Sequence, residues 1–338
     1  MGAAVASRTT RYQPVWVTRT GAATPIDTGW TVPFVGGSCN CLTGGLEFSP
    51  DGRHLALSVW RDATNRDIGI KQLDQAPFAL TQLTFTGDNV SPAWTADGRS
   101  IVYATGKTEN QTALFRRRAD GTGPVDTLLD HAVVPGLGTR GILQVVPTRD
   151  TTQFILQVGN CAACGDLALA RRGDTTTVSL ATNFRIAFID PALSPDGRWL
   201  AYASTETPGR FEVYVRPFPD VNAGRVQVSQ GGGNEPRWAH SGKELFFRNA
   251  TGALVAAAVL PAATFTLGMQ TVLFKGSQFF TDVGYNAPSY NVAPGDQRFV
   301  FMLPVVPTGP AGPPPMDKLV LVTNWAAEVH AKLAGKAP

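Results

Sequence analysis

Four cysteines, four histidines and one glycine-rich hexapeptide are the residues of this 338-residue chain whose types and spacing could do chemistry. Cys39 and Cys41 stand in Cys-Asn-Cys, and Cys161 and Cys164 in Cys-Ala-Ala-Cys. Four thiolates suit a tetrahedral zinc, and each pair alone suits a short disulfide loop. A redox Cys-x-x-Cys needs a helix N-terminus to lower a thiol pKa, and none is expected there. The run from Gly136 to Gly141 fits Gly-x-Gly-x-x-Gly letter for letter. A dinucleotide site also needs a following helix to hold the pyrophosphate, whereas Ile142 to Val146 reads as a strand, so the hexapeptide is taken as a glycine-rich loop. His54 and His240 lie in or beside turns, His131 ends an expected strand and His330 lies in the tail; each reads as a surface or turn residue. The sequence contains no Gly-x-Ser-x-Gly elbow, no His-Glu-x-x-His and neither His-Arg-Asp nor Asp-Phe-Gly. A triad assembled from separate elements would be visible only in its geometry.

The elements that must position these residues are repeats. "FSPDGRHLALS" at Phe48 to Ser58 returns as "ALSPDGRWLAYAS" at Ala192 to Ser204, with weaker copies at Ala93 to Thr105, Val145 to Gln157, Arg237 to Asn249 and Tyr290 to Met302. The markers Asp51, Asp97, Asp150, Asp196, Ser241 and Gly295 recur at intervals of 45 to 54 residues. Pro sets φ for a turn, Asp caps it and Gly supplies φ > 0, so each copy joins two antiparallel strands. Branched and aromatic runs such as "HLALSVW", "SIVYAT" and "WLAYAS" follow, and further candidate strands bring the count to four per unit. Six units of four short strands predict an all-β, six-bladed propeller, one domain over residues 1–338. Residues 1–12 are expected to be disordered. The strand-like Pro14–Arg19 has no blade of its own and is expected to close the ring on the last repeat, beside "YNVAP", "RFVFM" and "KLVLVTN". Trp325, Val329 and Leu333 give Asn324 to Gly335 one apolar stripe, predicting a short C-terminal helix packed as a latch.

The Ser-Pro-Asp-Gly-Arg turns, "GGNEPRWAHSGKELFFRN", "YNVAPGDQRFVF" and the terminal "LVLVTNW" resemble the TolB-type WD-like β-propeller, in the version found at the C-terminal, sensor end of bacterial serine/threonine protein kinases. The likeness covers nearly all of residues 12 to 330. It departs in three places: the third repeat lacks Pro-Asp-Gly and its blade is expected to be irregular, the fifth reads His240-Ser241-Gly242, and the last reads Gly295-Asp296. The resemblance implies a periplasmic or extracellular location, and no export signal is evident at residues 1–14. In that oxidising setting local disulfides or free thiols are preferred over a shared zinc, since two blades separate the cysteine pairs.

A net charge of +3 is too small to argue for nucleic acid, and no stretch approaches the roughly 18 apolar residues of a membrane span. Arg116-Arg117-Arg118 and Arg171-Arg172 read as solvated outer-strand clusters. The residues leading into the innermost strands surround the channel mouth: Glu47, Asp88, Asn89, Arg140, Asp190, Asn234, Glu235, Arg237, Tyr285, Asn286 and Tyr290. Singly they read as strand caps; as a set they are the candidate binding site of a scaffold expected to be monomeric, a non-catalytic sensor for a protein, peptide or small molecule. The competing reading is a calcium-dependent hydrolase or lactonase in which Glu47, Asn89, Asp190 and Asn291 hold the cation.

Overall fold

The computed structural model describes residues 10–305 except 35–44, 63–64, 76–77, 106–112, 130–140, 162–163, 174–176, 184–185 and 280–287. Its architecture starts from the repeated turn. Gly52 N donates to Ser49 O at 2.8 Å, Ser49 N donates to His54 O at 2.9 Å, and Gly52 takes φ 71°, which glycine alone adopts freely. Asp51 Oδ1 accepts the Ser49 hydroxyl (2.5 Å) and Arg53 N–H (3.0 Å), while Ser49 Oγ accepts His54 N–H (3.0 Å). The same bonds recur at Thr95–Asp97–Arg99 and Ser194–Asp196–Arg198. The hydroxyl and the backbone N–H hold Asp51 and Asp97 below the ordinary carboxylate range. In the third repeat Asp150 keeps this role, accepting Thr152 N–H (3.0 Å) and its hydroxyl (2.7 Å). That blade accordingly keeps all four strands, and the irregularity expected of it appears as a register shift in each of its three pairings.

Six antiparallel sheets result. Blade 1 runs Leu46–Phe48, His54–Trp60, Arg66–Gln72, Leu80–Gln82; blade 2 Asn89–Trp94, Ser100–Thr105, Ala113–Arg118, Asp126–Leu129; blade 3 Gly141–Pro147, Gln153–Cys161, Cys164–Arg171, Thr177–Ala181. Blade 4 runs Phe188–Leu193, Trp199–Ser204, Glu212–Pro217, Val226–Gln227, and blade 5 Gly233–Trp238, Glu244–Asn249, Leu254–Leu260, Thr266–Phe274. Blade 6 takes Tyr290–Val292 and Arg298–Pro304 from the C-terminal side and Thr10–Thr18 from the N-terminal side. Tyr290–Val292 contacts Leu46–Phe48, so the ring closes. No helix occurs among the described residues, and the stretch expected to be helical, Asn324 to Gly335, lies outside them.

The N-terminal strand is the third of blade 6, pairing Tyr12 with Pro304 through to Thr18 with Arg298. It begins at Thr10, inside the stretch expected to be disordered, and its other edge carries both Ala23–Pro25 and Val32–Phe34. These fill the fourth-strand place. Beyond it, Trp30 and Ile26 pack with Leu55 and Leu57 of blade 1. Lys71 of blade 1 binds Asp27 at 2.7 Å, donates to Phe78 O and lies 4.7 Å from the Trp30 ring centre, so the N-terminal segment straddles the last seam. The apolar core is divided the same way: its six clusters each join two adjacent blades, because alternating strand residues face opposite neighbours.

Two departures from the repeat turn out to be one device. Asp296 sits at φ 61°, where the first, second, fourth and fifth turns place glycine, and its carboxylate crosses to blade 5 to accept His240 N–H (2.7 Å) and Ser241 N–H (3.1 Å). His240 replaces the turn proline and so exposes an N–H, and Ser241 replaces the capping Asp. Asp296→Gly should therefore destabilise by about 1 to 2 kcal/mol even though glycine relieves the backbone. Adding His240→Pro and Ser241→Asp should restore most of the loss in a urea melt; an additive loss would refute the compensation.

Candidate functional site in the central channel

The innermost strands are built to turn side chains toward one another. Ser91, Asp190 and Glu235 each precede a proline and hold φ of 53° to 54°. Each lies in a register shift against the second strand, between Val90 and Ala93, Ile189 and Ala192, and Asn234 and Arg237. Such backbone is strained for non-glycine residues and persists where its surroundings fix it. Here hydrogen bonds between blades fix it at every seam. Trp94 Nε1 donates to Glu47 O (3.0 Å), Val145 N to Ser91 Oγ (2.8 Å), and Asp190 N to Gln157 Oε1 (2.9 Å). Glu235 N donates to Asp190 Oδ2 (3.2 Å), Ser289 N and Oγ to Glu235 Oε2 (3.1 and 2.8 Å), and Asn291 Nδ2 to Leu46 O (2.6 Å) and Glu47 Oε2 (2.8 Å).

This belt is incompletely satisfied. Gln144 Oε1, Gln157 Nε2, Glu235 Oε1 and Arg237 Nε are buried with no hydrogen-bond partner among the described residues. A buried polar atom left unpaired costs about 1 to 3 kcal/mol, so these four are places where an ordered water or a ligand would be held. The charges agree. Burial, and next the charge of Glu235, push Asp190 up to about 7 against the pull of Arg237. Burial likewise raises Glu235, opposed chiefly by Arg248, and raises Glu47, opposed by Arg237 and the Asn291 amide.

Glu47, Arg237 and Gln144 border a cavity of about 400 Å³ whose walls include Phe48, Trp94 and Trp238. Its rim contains Pro50, Thr95, Pro195 and His240, residues of the hairpin turns. The cavity thus reaches the turn end of the channel, and its lining also includes Gly45, Leu46 and Ser91, nearer the strand starts where the sequence reading sets the mouth.

Of the residues expected at that mouth, Glu47 and Arg237 line the cavity, and Asp190 and Glu235 form the belt. Tyr290 is not exposed: it is fully buried, stacked on Phe301 at 5.1 Å with its hydroxyl donating to Glu235 O at 3.0 Å. Asn89 is buried too, its amide donating to Thr86 O (2.7 Å) and Thr84 Oγ1 (3.1 Å), while Asp88 binds Arg66 at 2.8 Å. Both act as caps at the start of blade 2. Asn234 borders a separate cavity of about 490 Å³ beside Gly232 and Asn249. Arg140, Tyr285, Asn286, Cys39 and Cys41 lie outside the described residues. Cys161 and Cys164 end and begin adjacent strands of blade 3 and are register partners. Among the described residues no group of three or more His, Cys, Asp or Glu is placed to hold a metal.

Sequence reasoning missed Gln144, Gln157, Trp94 and Trp238. The signal was the recurring residue-Pro step in the inner strands, Ser91-Pro92, Asp190-Pro191 and Glu235-Pro236. Of the basic clusters, Arg116 and Arg172 both bind Asp126, at 2.5 and 3.1 Å, and Arg118 binds Asp120 at 2.6 Å, whereas Arg117 departs from the solvated reading: it is half-buried and donates to Leu83 O of blade 1 at 2.7 Å.

No family model matches the chain, and no curated protein matches it. Solved structures do. A candidate TolB of Agrobacterium tumefaciens is similar with TM-score 0.58 and 16% identity, over 88% of this chain and 99% of that one. The periplasmic gluconolactonase of Pseudomonas aeruginosa is similar with TM-score 0.50 and 16% identity, over 85% and 87%. At such identities the likeness concerns the propeller fold, and function has to come from the site.

Proposed function

We propose that this chain is a binding propeller without chemistry of its own, whose recognition site is the apolar-walled cavity at the turn end of the central channel. The observation that carries the reading is that Gln144 Oε1 and Arg237 Nε, buried with no hydrogen-bond partner among the described residues, belong to residues lining this cavity. A ligand presenting a carboxylate to Arg237, whose Nε is unpaired, and a hydroxyl or ammonium to Glu47 beside it would complement the charges of the lining, with Trp94 and Trp238 covering its apolar part. A small molecule or the end of a peptide meets this description. The finer setting proposed is a periplasmic or extracellular sensor carried behind a kinase domain and a membrane span, which the upstream coding sequence would reveal.

A thermal-shift screen of sugar acids, amino acids and peptides with free or amidated C-termini tests the site. Carboxylate ligands should raise the melting temperature of the wild type and fail to do so for Arg237→Gln and Glu47→Gln. Equal stabilisation of wild type and variants would overturn the assignment.

The buried carboxylates along the axis are what favours the second reading, a calcium-dependent hydrolase. Against it, Asn89 is spent elsewhere, Asn291 turns its amide nitrogen toward Glu47, and Arg237 already supplies positive charge. Lactone turnover that depends on added calcium would establish it.

A further inference from the structure

We propose that the groove between blades 4 and 5 on the hairpin-turn side is a second docking site, for an acidic segment of a partner protein that carries an apolar anchor. The groove encloses about 520 Å³ and shares Pro195, Trp238 and His240 with the rim of the central cavity. Its wall is aromatic. Phe265 meets Trp199 edge-on at 5.6 Å and Trp238 at 6.1 Å, with Trp199 and Phe265 themselves only half-buried. Leu260, 47% exposed, extends this surface at the end of the third strand of blade 5.

The electrostatics of the groove follow from the repeat. The first, second and fourth turns set an Asp two residues before their base, and in the fourth Asp196 pairs with Arg198 at 2.6 Å. The fifth turn keeps its base, Lys243, but has Ser241 in place of the Asp. The carboxylate that caps this turn comes from Asp296, which is directed onto backbone N–H groups and is only 12% exposed. Lys243 is exposed and has no ion-pair partner among the described residues. Arg149 reaches across from blade 3, donating to Pro195 O at 2.8 Å. Three basic side chains therefore line the groove beside its aromatic wall; Arg198 is paired with the single lining carboxylate, Asp196, which leaves Arg149 and Lys243 in excess. An inorganic anion would leave the aromatic wall bare, and a purely apolar segment would leave the cations unanswered. A chain segment alternating acidic and apolar residues meets both.

The test uses a short fluorescein-labelled peptide alternating Glu and Leu, its Gln-for-Glu analogue, and fluorescence anisotropy at low salt with the whole chain. The Glu peptide should bind at least about tenfold tighter than the Gln analogue, and Lys243→Glu should weaken it at least about fivefold. Leu260→Ser should weaken both peptides. These two side chains are exposed, so the fold should hold, as a melt will verify. Arg237→Gln should leave peptide binding unchanged. Equal binding of the two peptides, indifference to Lys243→Glu, full competition by inorganic phosphate, or loss in Arg237→Gln would each overturn the proposal, the last by placing the peptide in the central cavity.

Discussion

Removing residues 1–20 should open the ring and leave a chain that melts far below the full-length protein or does not fold. The strand Thr10–Thr18 supplies seven register pairs to blade 6 and buries Tyr12, Val15 and Val17. Burying three such side chains stabilises by roughly 5 to 9 kcal/mol, which is comparable to the whole stability of a typical domain. Val15 and Val17 sit in the cluster shared with blade 5, and Tyr12 in the cluster shared with blade 1. Loss of the strand thus exposes two seams at once and leaves Arg298–Pro304 as an open edge. Arg19, just beyond the strand, also binds Glu244 of blade 5 at 2.7 Å. Val17→Asp should reproduce much of the effect by burying an unpaired charge. A synthetic peptide of residues 10–34 should bind the truncated chain and recover part of its melting temperature. A truncated chain with an unchanged melt would mean that the ring closes by some other strand.

Asp190→Asn should stabilise the protein at pH 8 and do little at pH 4. The folded state raises Asp190 to about 7, from an ordinary value of 3.8. Between those values the folded protein holds a proton that the unfolded chain has released, so stability falls as pH rises through the window and the loss is complete above it. At about 1.4 kcal/mol per pH unit, the wild type gives up at most roughly 4 kcal/mol here. Asn cannot ionise, yet its side-chain oxygen can still accept Glu235 N–H. Carboxylates held low by their turns, such as Asp51, Asp97 and Asp150, work in the opposite sense and are lost only as pH falls below the ordinary carboxylate range. Urea melts across pH 4 to 8 should therefore show wild type and variant converging in acid and separating toward pH 8. Parallel curves would show that Asp190 is ionised at little penalty in the folded protein.

The blades were legible in the sequence because their signal is local. Ser49, Asp51 and Gly52 make their turn with one another, and the same letters make it again in blades 2 and 4 with Thr95 replacing the first Ser. The closing strand was legible as well, since Pro14–Arg19 had strand character and no partner nearby. Depth was not. Tyr290 reads as a mouth residue beside a loop, but the packing of Phe299 and Phe301 around it places it in the core. Nor were contacts across the ring legible: Asn291 meets Glu47 from 244 residues away. His240 and Asp296 were each visible as departures from the repeat, and only the blade 5–6 seam makes them complementary. The direction of the cavity depends on the same long-range geometry, because the inner strands carry candidate polar residues toward both of their ends.

The claim that the central channel binds and does not transform its ligand is tested most directly by equilibrium dialysis followed by mass spectrometry. The protein, with calcium supplied, would be equilibrated with the carboxylate that most raises its melting temperature, beside the Arg237→Gln variant. Retention of one intact ligand per wild-type chain, with at least about tenfold weaker retention by the variant, is the expected result. Recovery of a hydrolysed product from the wild type, or undiminished retention by Arg237→Gln, would contradict it.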